Sequence, residues 1–312
     1  MTPAPRAQND RPAGAETLAD VLAEVRRIPL RSSRFVTDVL TGGYRSTFRG
    51  AGVEFEEVRE YSEGDDPRHV DWNVTARAGR PFVKRFVEER EHTLMFALDR
   101  GAAMQAGFGA WSPAQVGARF CALLGLLAIA NNDGVGFAGG DADRRTYVPP
   151  RKGHAHVLAV LQRCAVGDTG GASDLGALLA EISRRTRRRT VVFLISDFLT
   201  LGYGRELRFC ARHHDLVAVR LIGPELIDPP AAIVRAREPV TGRMSTVDLG
   251  SRRVRRAWLE RVAAWRAVVD GEFAAARVDV VDIRIPRVRD IDAIAAPLQQ
   301  FFRLRERREV YR

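Results

Sequence analysis

The run Thr190–Asp197, TVVFLISD, is the most strand-like stretch of the chain: continuously apolar, rich in β-branched residues and closed by an aspartate. A strand that is apolar on both faces belongs inside a parallel sheet covered by helices on each side. The sequence around it keeps that grammar. Upstream, TLMFALD is a second strand ending in Asp99, and Ser112-Pro113 supplies an N-cap and a first-turn proline for a helix through Asn131. GVGFAGG reads as a short buried strand with RTYVPP as its pairing partner, and HAHVLAVLQRC and DLGALLAEISRRTRRR read as helices. Downstream come a helix over 204–213, the strand LVAVRLIG and a polar hairpin around Thr241-Gly242. A long helix from Arg253 places Val254, Trp258, Val262, Trp265 and Val269 on one face; VDVVDIRI then closes the sheet, and Ile291–Leu304 forms a last helix. Alternating strands and helices predict an α/β fold. Ligands in such sheets bind at the carboxyl ends of the strands near the switch point, where Asp99 and Asp197 stand.

The first ninety residues read differently. Residues 1–15 are a Pro/Ala/Gly lead, expected to be mobile, and Glu16–Ile28 has helical spacing ended by Pro29, with a second turn expected through Leu40. From Gly42 to Arg90 the chain is dense in charge and glycine. EFEEVREY alternates as a half-buried strand does, SEGDDPR has the residues of a tight turn, and PFVKRFVEE suits a strand or a helix start. Phe55, Val58, Tyr61, Val70, Trp72, Phe82, Val83 and Phe86 give this stretch too much apolar surface for a solvated tail, and Trp72 reads as a buried anchor fastening it to the sheet.

The order GVEFEEVREY, GDDPRHVDW, TARAG and FVKRFVEERE resembles the signature of domain-of-unknown-function family 58. Those are bacterial proteins with a von Willebrand factor A-like domain, commonly paired with MoxR-type AAA+ ATPases. The resemblance implies a von Willebrand A-like (Rossmann-like) α/β fold, its mostly parallel sheet flanked by helices on both faces, plus an N-terminal β-containing appendage. It divides the chain into a lead and helix (1–41), the signature segment (42–92) and the von Willebrand A-like domain (93–312). It also implies a MoxR-type ATPase as partner. An intact metal-ion-dependent adhesion site in such a domain reads Asp-x-Ser-x-Ser after the first strand, with a later threonine and a further aspartate. Here the first element reads Asp99-Arg100-Gly101-Ala102-Ala103, so both hydroxyl positions are lost. Asp99, Ser173 and Asp197 remain as the residual ligand set for a weakly held Mg2+, with Arg100 expected to compete for the carboxylates. The site reads as degenerate; the other reading has the aspartates capping backbone amides or pairing with arginine.

Net charge is +10, and the cations are arginine except for Lys84 and Lys152. Arg184, Arg185, Arg187, Arg188 and Arg189 gather at a helix C-terminus, where the macrodipole favours them; Arg252, Arg253, Arg255 and Arg256 open another helix, where it does not. Neither cluster has the aromatic interleaving of a nucleic-acid reader. Cys121, Cys164 and Cys210 lack CxxC spacing and read as buried, reduced thiols. No GxSxG and no P-loop ending in GK[ST] is present. The most apolar run, Cys121–Ala130, is shorter than the ~18 residues of a membrane span, and no secretory leader is read, so a cytoplasmic protein without a membrane span is expected.

Glu54, Glu56, Glu57, Glu60, Glu63, Asp65, Asp66 and Asp71 make an acidic concentration interspersed with Arg59, Arg68, Arg77 and Arg85. It suits a salt-bridged scaffold, a docking surface or, if the carboxylates converge, metal-assisted hydrolysis. The leading expectation is a non-enzymatic protein-interaction module, an adaptor or partner of a MoxR-type AAA+ ATPase. Arg59, Tyr61, Asp65, Asp66, Arg68, Asp71 and Trp72 would serve docking or hold the segment together. The alternatives are a metal-dependent hydrolase using residues 54–71 and an arginine-rich nucleic-acid-binding protein.

Overall fold

Strands β3 (Thr93–Asp99) and β6 (Val191–Ser196) lie side by side at the centre of a six-stranded sheet, paired in parallel from Leu94 opposite Val191 to Leu98 opposite Ile195. The computed structural model describes residues 17–26, 54–62, 65, 70–87, 92–166 and 170–310. The expected mobile lead, the turn through Leu40, Asp66 and Arg68 lie outside the described residues.

The sheet also contains β4 (Gly134–Gly140), β5 (Arg145–Arg151), β7 (Asp215–Ile222) and β10 (Asp279–Arg284), in the order β5-β4-β3-β6-β7-β10. Every pairing is parallel except β4 with the edge strand β5. The order reverses between β3 and β6, which is the switch point of a doubly wound sheet. Beside it stand two small antiparallel ribbons. β1 (Glu54–Glu60) pairs with β2 (Phe82–Val87) on either side of helix α2 (Trp72–Ala78), and β8 (Ile233–Arg237) pairs with β9 (Met244–Asp248) as the hairpin expected around Thr241-Gly242. PFVKRFV is therefore strand.

Alternation along the central strands builds two cores. Leu94, Phe96, Leu98, Phe193 and Ile195 face a layer made by α1 (Leu18–Arg26), α3 (Pro113–Ala130), α4 (His154–Ala165) and α8 (Asp292–Val310). Met95, Ala97, Val192 and Leu194 face α5 (Leu175–Arg185), α6 (Gly204–His213) and α7 (Arg252–Ala276). Ser112 caps α3 in a reciprocal capping box with Gln115 and Pro113 opens it, as the sequence implies. α5 stops earlier than expected, at Arg185, and Arg187–Arg189 form the link into β6.

Helix α3 corrects one expectation. Its 18 residues have a mean hydropathy of 1.5, long and apolar enough to cross a membrane, whereas the sequence reading found no such run. The reason is packing: α3 lies between the sheet and three other helices, so it is apolar nearly all round, and 78% of it is buried. At its centre Arg119 is fully buried. Its guanidinium pairs with Glu24 of α1 (2.6 and 2.7 Å), donates to the Gln115 carbonyl and stacks 4.4 Å from the Trp111 ring. A second buried cation, Arg220 of β7, holds Asp282 of β10 and Asp270 of α7, tying the edge strand to the helix that covers it.

Candidate functional site

Three parallel strands run out into aspartates at the carboxyl edge of the sheet: Asp99 ends β3, Asp141 follows β4 and Asp197 follows β6. Asp99 is buried, and its carboxylate accepts from Ser173 Oγ (2.7 Å), Ser196 Oγ (2.6 Å) and the Gly101 N–H (2.9 Å). Burial pushes its pKa up, with the Asp141 charge adding to the rise, against the hydrogen bonds from Ser196, Gly101 and Ser173. Asp197 accepts from the Leu199 N–H (3.0 Å), and burial, joined by the charges of Asp99 and Glu225, raises its pKa to about 6.

The loop before α5 is laid across these strand ends. Ala102 N–H donates to Gly171 O, Ala142 N–H donates to Ala172 O, and Gly171 N–H donates to Asp141 (3.0 Å). Ser173 then reaches Asp99, and Asp174 caps α5 by accepting from Ala177 N–H. The loop comes so close that a Cβ on Gly101 would stand 2.8 Å from Ser173 Cβ and backbone N. On the other side Ser196 Oγ accepts from Phe198 N–H, and Phe198 has a left-handed backbone (φ 56°) whose carbonyl accepts from Trp265 Nε1 of α7.

Mg2+ does not fit this donor set. It needs near-octahedral oxygen ligation, and both oxygens of Asp99 are already engaged by protein donors. Gly101 and Ala103 bring no oxygen, and the loop fills the space a side chain at 101 would need. Among the described residues no three His, Cys, Asp or Glu side chains gather as a metal cage would require. Arg100 does not take the expected role beside the carboxylates either. Its guanidinium turns to the carbonyls of Arg163 and Cys164 and lies 5.7 Å from the Phe137 ring.

The β1–β2 ribbon gathers a second set of expected residues. Arg59 pairs with Asp65 (2.6 Å), which also accepts from Ser62 N–H, and Tyr61 OH donates to the Asp65 carbonyl. The Arg59 hydrogen bond, followed by that from Ser62, holds the Asp65 carboxyl below its ordinary range. Asp71 is the N-cap of α2, accepting from Asn73 and Val74 N–H, and Gly79 closes that helix in the left-handed conformation. Tyr61 N–H donates to Pro81 O and Asp71 N–H to Phe82 O, so the turn and the helix start meet at one end of the ribbon. Trp72 is the correction here. It is 71% exposed instead of anchoring the segment, because Asp71 fixes it at the first helical position with its indole pointing outward.

A family model described as "Protein of unknown function DUF58" matches residues 57–268. The chain belongs to the DUF58 family. Relatives include "Uncharacterized protein Rv1480" of Mycobacterium tuberculosis and "Uncharacterized protein Mb1516" of Mycobacterium bovis, each 28% identical over 212 residues covering 67% of either chain. Among solved structures, the SpRpn10 VWA domain is 11% identical and covers 67% of this chain and 94% of its own, with a TM-score of 0.39. An aerotolerance-related membrane protein from Bacteroides fragilis is 15% identical over 70% of this chain and 99% of its own, also at 0.39. A membrane-spanning protein from Vibrio fischeri is 17% identical over 69% and 99%, at 0.22. The DUF58 chain has the mostly parallel α/β sheet flanked by helices that was expected of it; likenesses this loose bear on no residue's role.

The cytoplasmic placement expected from the sequence is corrected. It rested on the premise that no run is long and apolar enough for a span, and that premise fails at α3. Sequence reasoning also missed Ser196 and Asp141. Both carried a signal: a lone hydroxyl at the end of an apolar strand, and a third strand running into aspartate.

Proposed function

We propose that this DUF58 protein is a non-enzymatic interaction module, an adaptor for a MoxR-type AAA+ ATPase, that docks its partner with the turn-and-helix end of the β1–β2 ribbon. The observation that carries this reading is Trp72: a tryptophan left 71% exposed on a helix turn fixed by its own cap. Tryptophan is among the side chains that dominate interface energetics, and a rigid mount lowers the ordering cost of binding. Arg59, Tyr61 and Asp65 hold the adjoining turn, so they support the docking surface from behind. The sheet's carboxyl edge is read as a degenerate metal-ion-dependent adhesion site that now serves as a clasp. The hydrolase alternative gains no support, since Asp65 and Asp71 are each engaged by their own turn.

The test mixes the purified protein with a purified MoxR-type ATPase, with and without nucleotide, and follows co-elution. A stoichiometric complex is expected with wild type, and its loss with Trp72→Ala at an unchanged thermal melt. Absence of a complex in every nucleotide state, or a complex indifferent to Trp72→Ala, would sink the reading.

A further inference from the structure

We propose that the groove between α5 and α6 docks an acidic, amphipathic protein segment. The groove encloses about 640 Å³ and is lined by four arginines, Arg184 of α5 and Arg205, Arg208 and Arg212 of α6, against one carboxylate, Glu206, with Ala180 and Phe209 as its apolar floor. Arg205, Arg208, Phe209 and Arg212 stand at the i, i+3, i+4 and i+7 positions of one helix face. The opposite face of α6 buries Leu207 and Cys210 in the core, so Phe209 is not needed there; it remains 51% exposed, its ring against His213.

The described residues account for only part of this charge: Arg184 and Arg212 stand in the last turns of their helices, where the macrodipole favours them, and Glu206 is a carboxylate within the lining. Arg208 pairs with Glu272, but Arg184, Arg205 and Arg212 have no carboxylate partner among the described residues. Arg205 sits in the first turn of α6, where the helix dipole disfavours a cation, and like charges at i+3 and i+4 repel. Arg187, Arg188 and Arg189, all exposed just past α5, extend the same positive field. An anionic occupant relieves that repulsion. The apolar floor between the arginines selects its class: a helix with acidic flanks and one leucine or phenylalanine seated on Phe209, the groove-binding mode of amphipathic helices. A phosphate backbone would meet the arginines but leave the floor unused. This inference is independent of the ATPase reading, because none of its residues lies on the ribbon.

The probe is a short, fluorescently labelled helical peptide with glutamates flanking a leucine stripe, titrated by anisotropy into the full chain. Its Glu→Gln counterpart and a labelled single-stranded DNA are run beside it. Expected is binding of the acidic peptide that weakens with salt and falls about tenfold or more with Arg205→Glu/Arg212→Glu, with Phe209→Ser and with the Gln peptide. Arg256→Glu, on exposed α7, serves as the control and leaves binding unchanged. Arg205→Gln/Arg212→Gln replaces the charge reversal if that variant melts early. No peptide binding, equal binding of the Glu and Gln peptides, or equal losses in Arg256→Glu would overturn the proposal. DNA binding tighter than the peptide and lost in the same variants would overturn it in favour of nucleic acid.

Discussion

The carboxyl edge of the sheet and the turn-and-helix end of the β1–β2 ribbon both gather aspartates, yet they leave opposite things in the open. At the sheet edge, Asp99 and Asp197 are buried and engaged by serines and backbone amides, so the charges are turned inward to hold loops. At the ribbon, Asp65 and Asp71 also bind their own turns, but in doing so they fix a tryptophan facing solvent. On the proposed reading, the place where an α/β sheet ordinarily meets its ligand serves as a structural clasp, and recognition falls to the appendage. The difference teaches that similar acidic patterns in sequence have separate physical roles, decided by whether a large apolar side chain is left beside them.

The sharpest way to break the comparison is at Asp99. Replacing it with alanine leaves two hydroxyls and an amide without their acceptor inside the protein, and a loss of about 3–5 kcal/mol in denaturant-unfolding stability is expected. Asp99→Asn should lose less. If Asp99→Ala were as stable as wild type, the clasp would not be holding the loops. Asp197 comes next. Its folded pKa of about 6 lies above the ordinary carboxylate value, so the folded state binds the proton more tightly. Its contribution to stability is then greatest below about pH 4 and is lost as pH rises to about 6, roughly 3 kcal/mol in all. Asp197→Asn should remove that decline, which paired pH–stability curves would reveal; parallel curves would refute it. On the ribbon, Trp72→Ala should weaken partner binding by about 2 kcal/mol in a calorimetric titration while shifting stability by less than about 0.5 kcal/mol. A large stability loss instead would make Trp72 a packing residue. The smallest effect is expected from Mg2+: millimolar metal against a chelator control should leave the melting temperature where it is. A clear rise would show a site that binds only the native state.

The sheet was legible because a buried parallel strand must be apolar on both faces, and runs such as TVVFLISD have few other homes. The cap of α3 was legible for a related reason: Ser112-Pro113 is a local signal that needs no tertiary context, whereas the cap at Asp174 was passed over. The candidate site was half legible. Ser173 does meet Asp99, but Ser196, the last residue of its strand, was passed over, and which partner Arg100 chooses depends on where α4 ends in space. Trp72 was misread because α2 is seven residues long, too short for a periodic pattern, and hydrophobicity alone cannot separate an anchor from an exposed contact.

The Arg119–Glu24 pair has a practical consequence for anyone dividing this chain. The family match runs over 57–268, so a fragment cut at those limits would omit Glu24, the carboxylate paired with the buried Arg119 guanidinium of α3. The same cut would remove the end of α7, β10 and α8, and with them Asp270 and Asp282, both partners of Arg220. Two buried cations would each lose a counter-charge, at several kcal/mol apiece. The matched span is therefore smaller than the packed unit, and expression should keep residues 17–310 together.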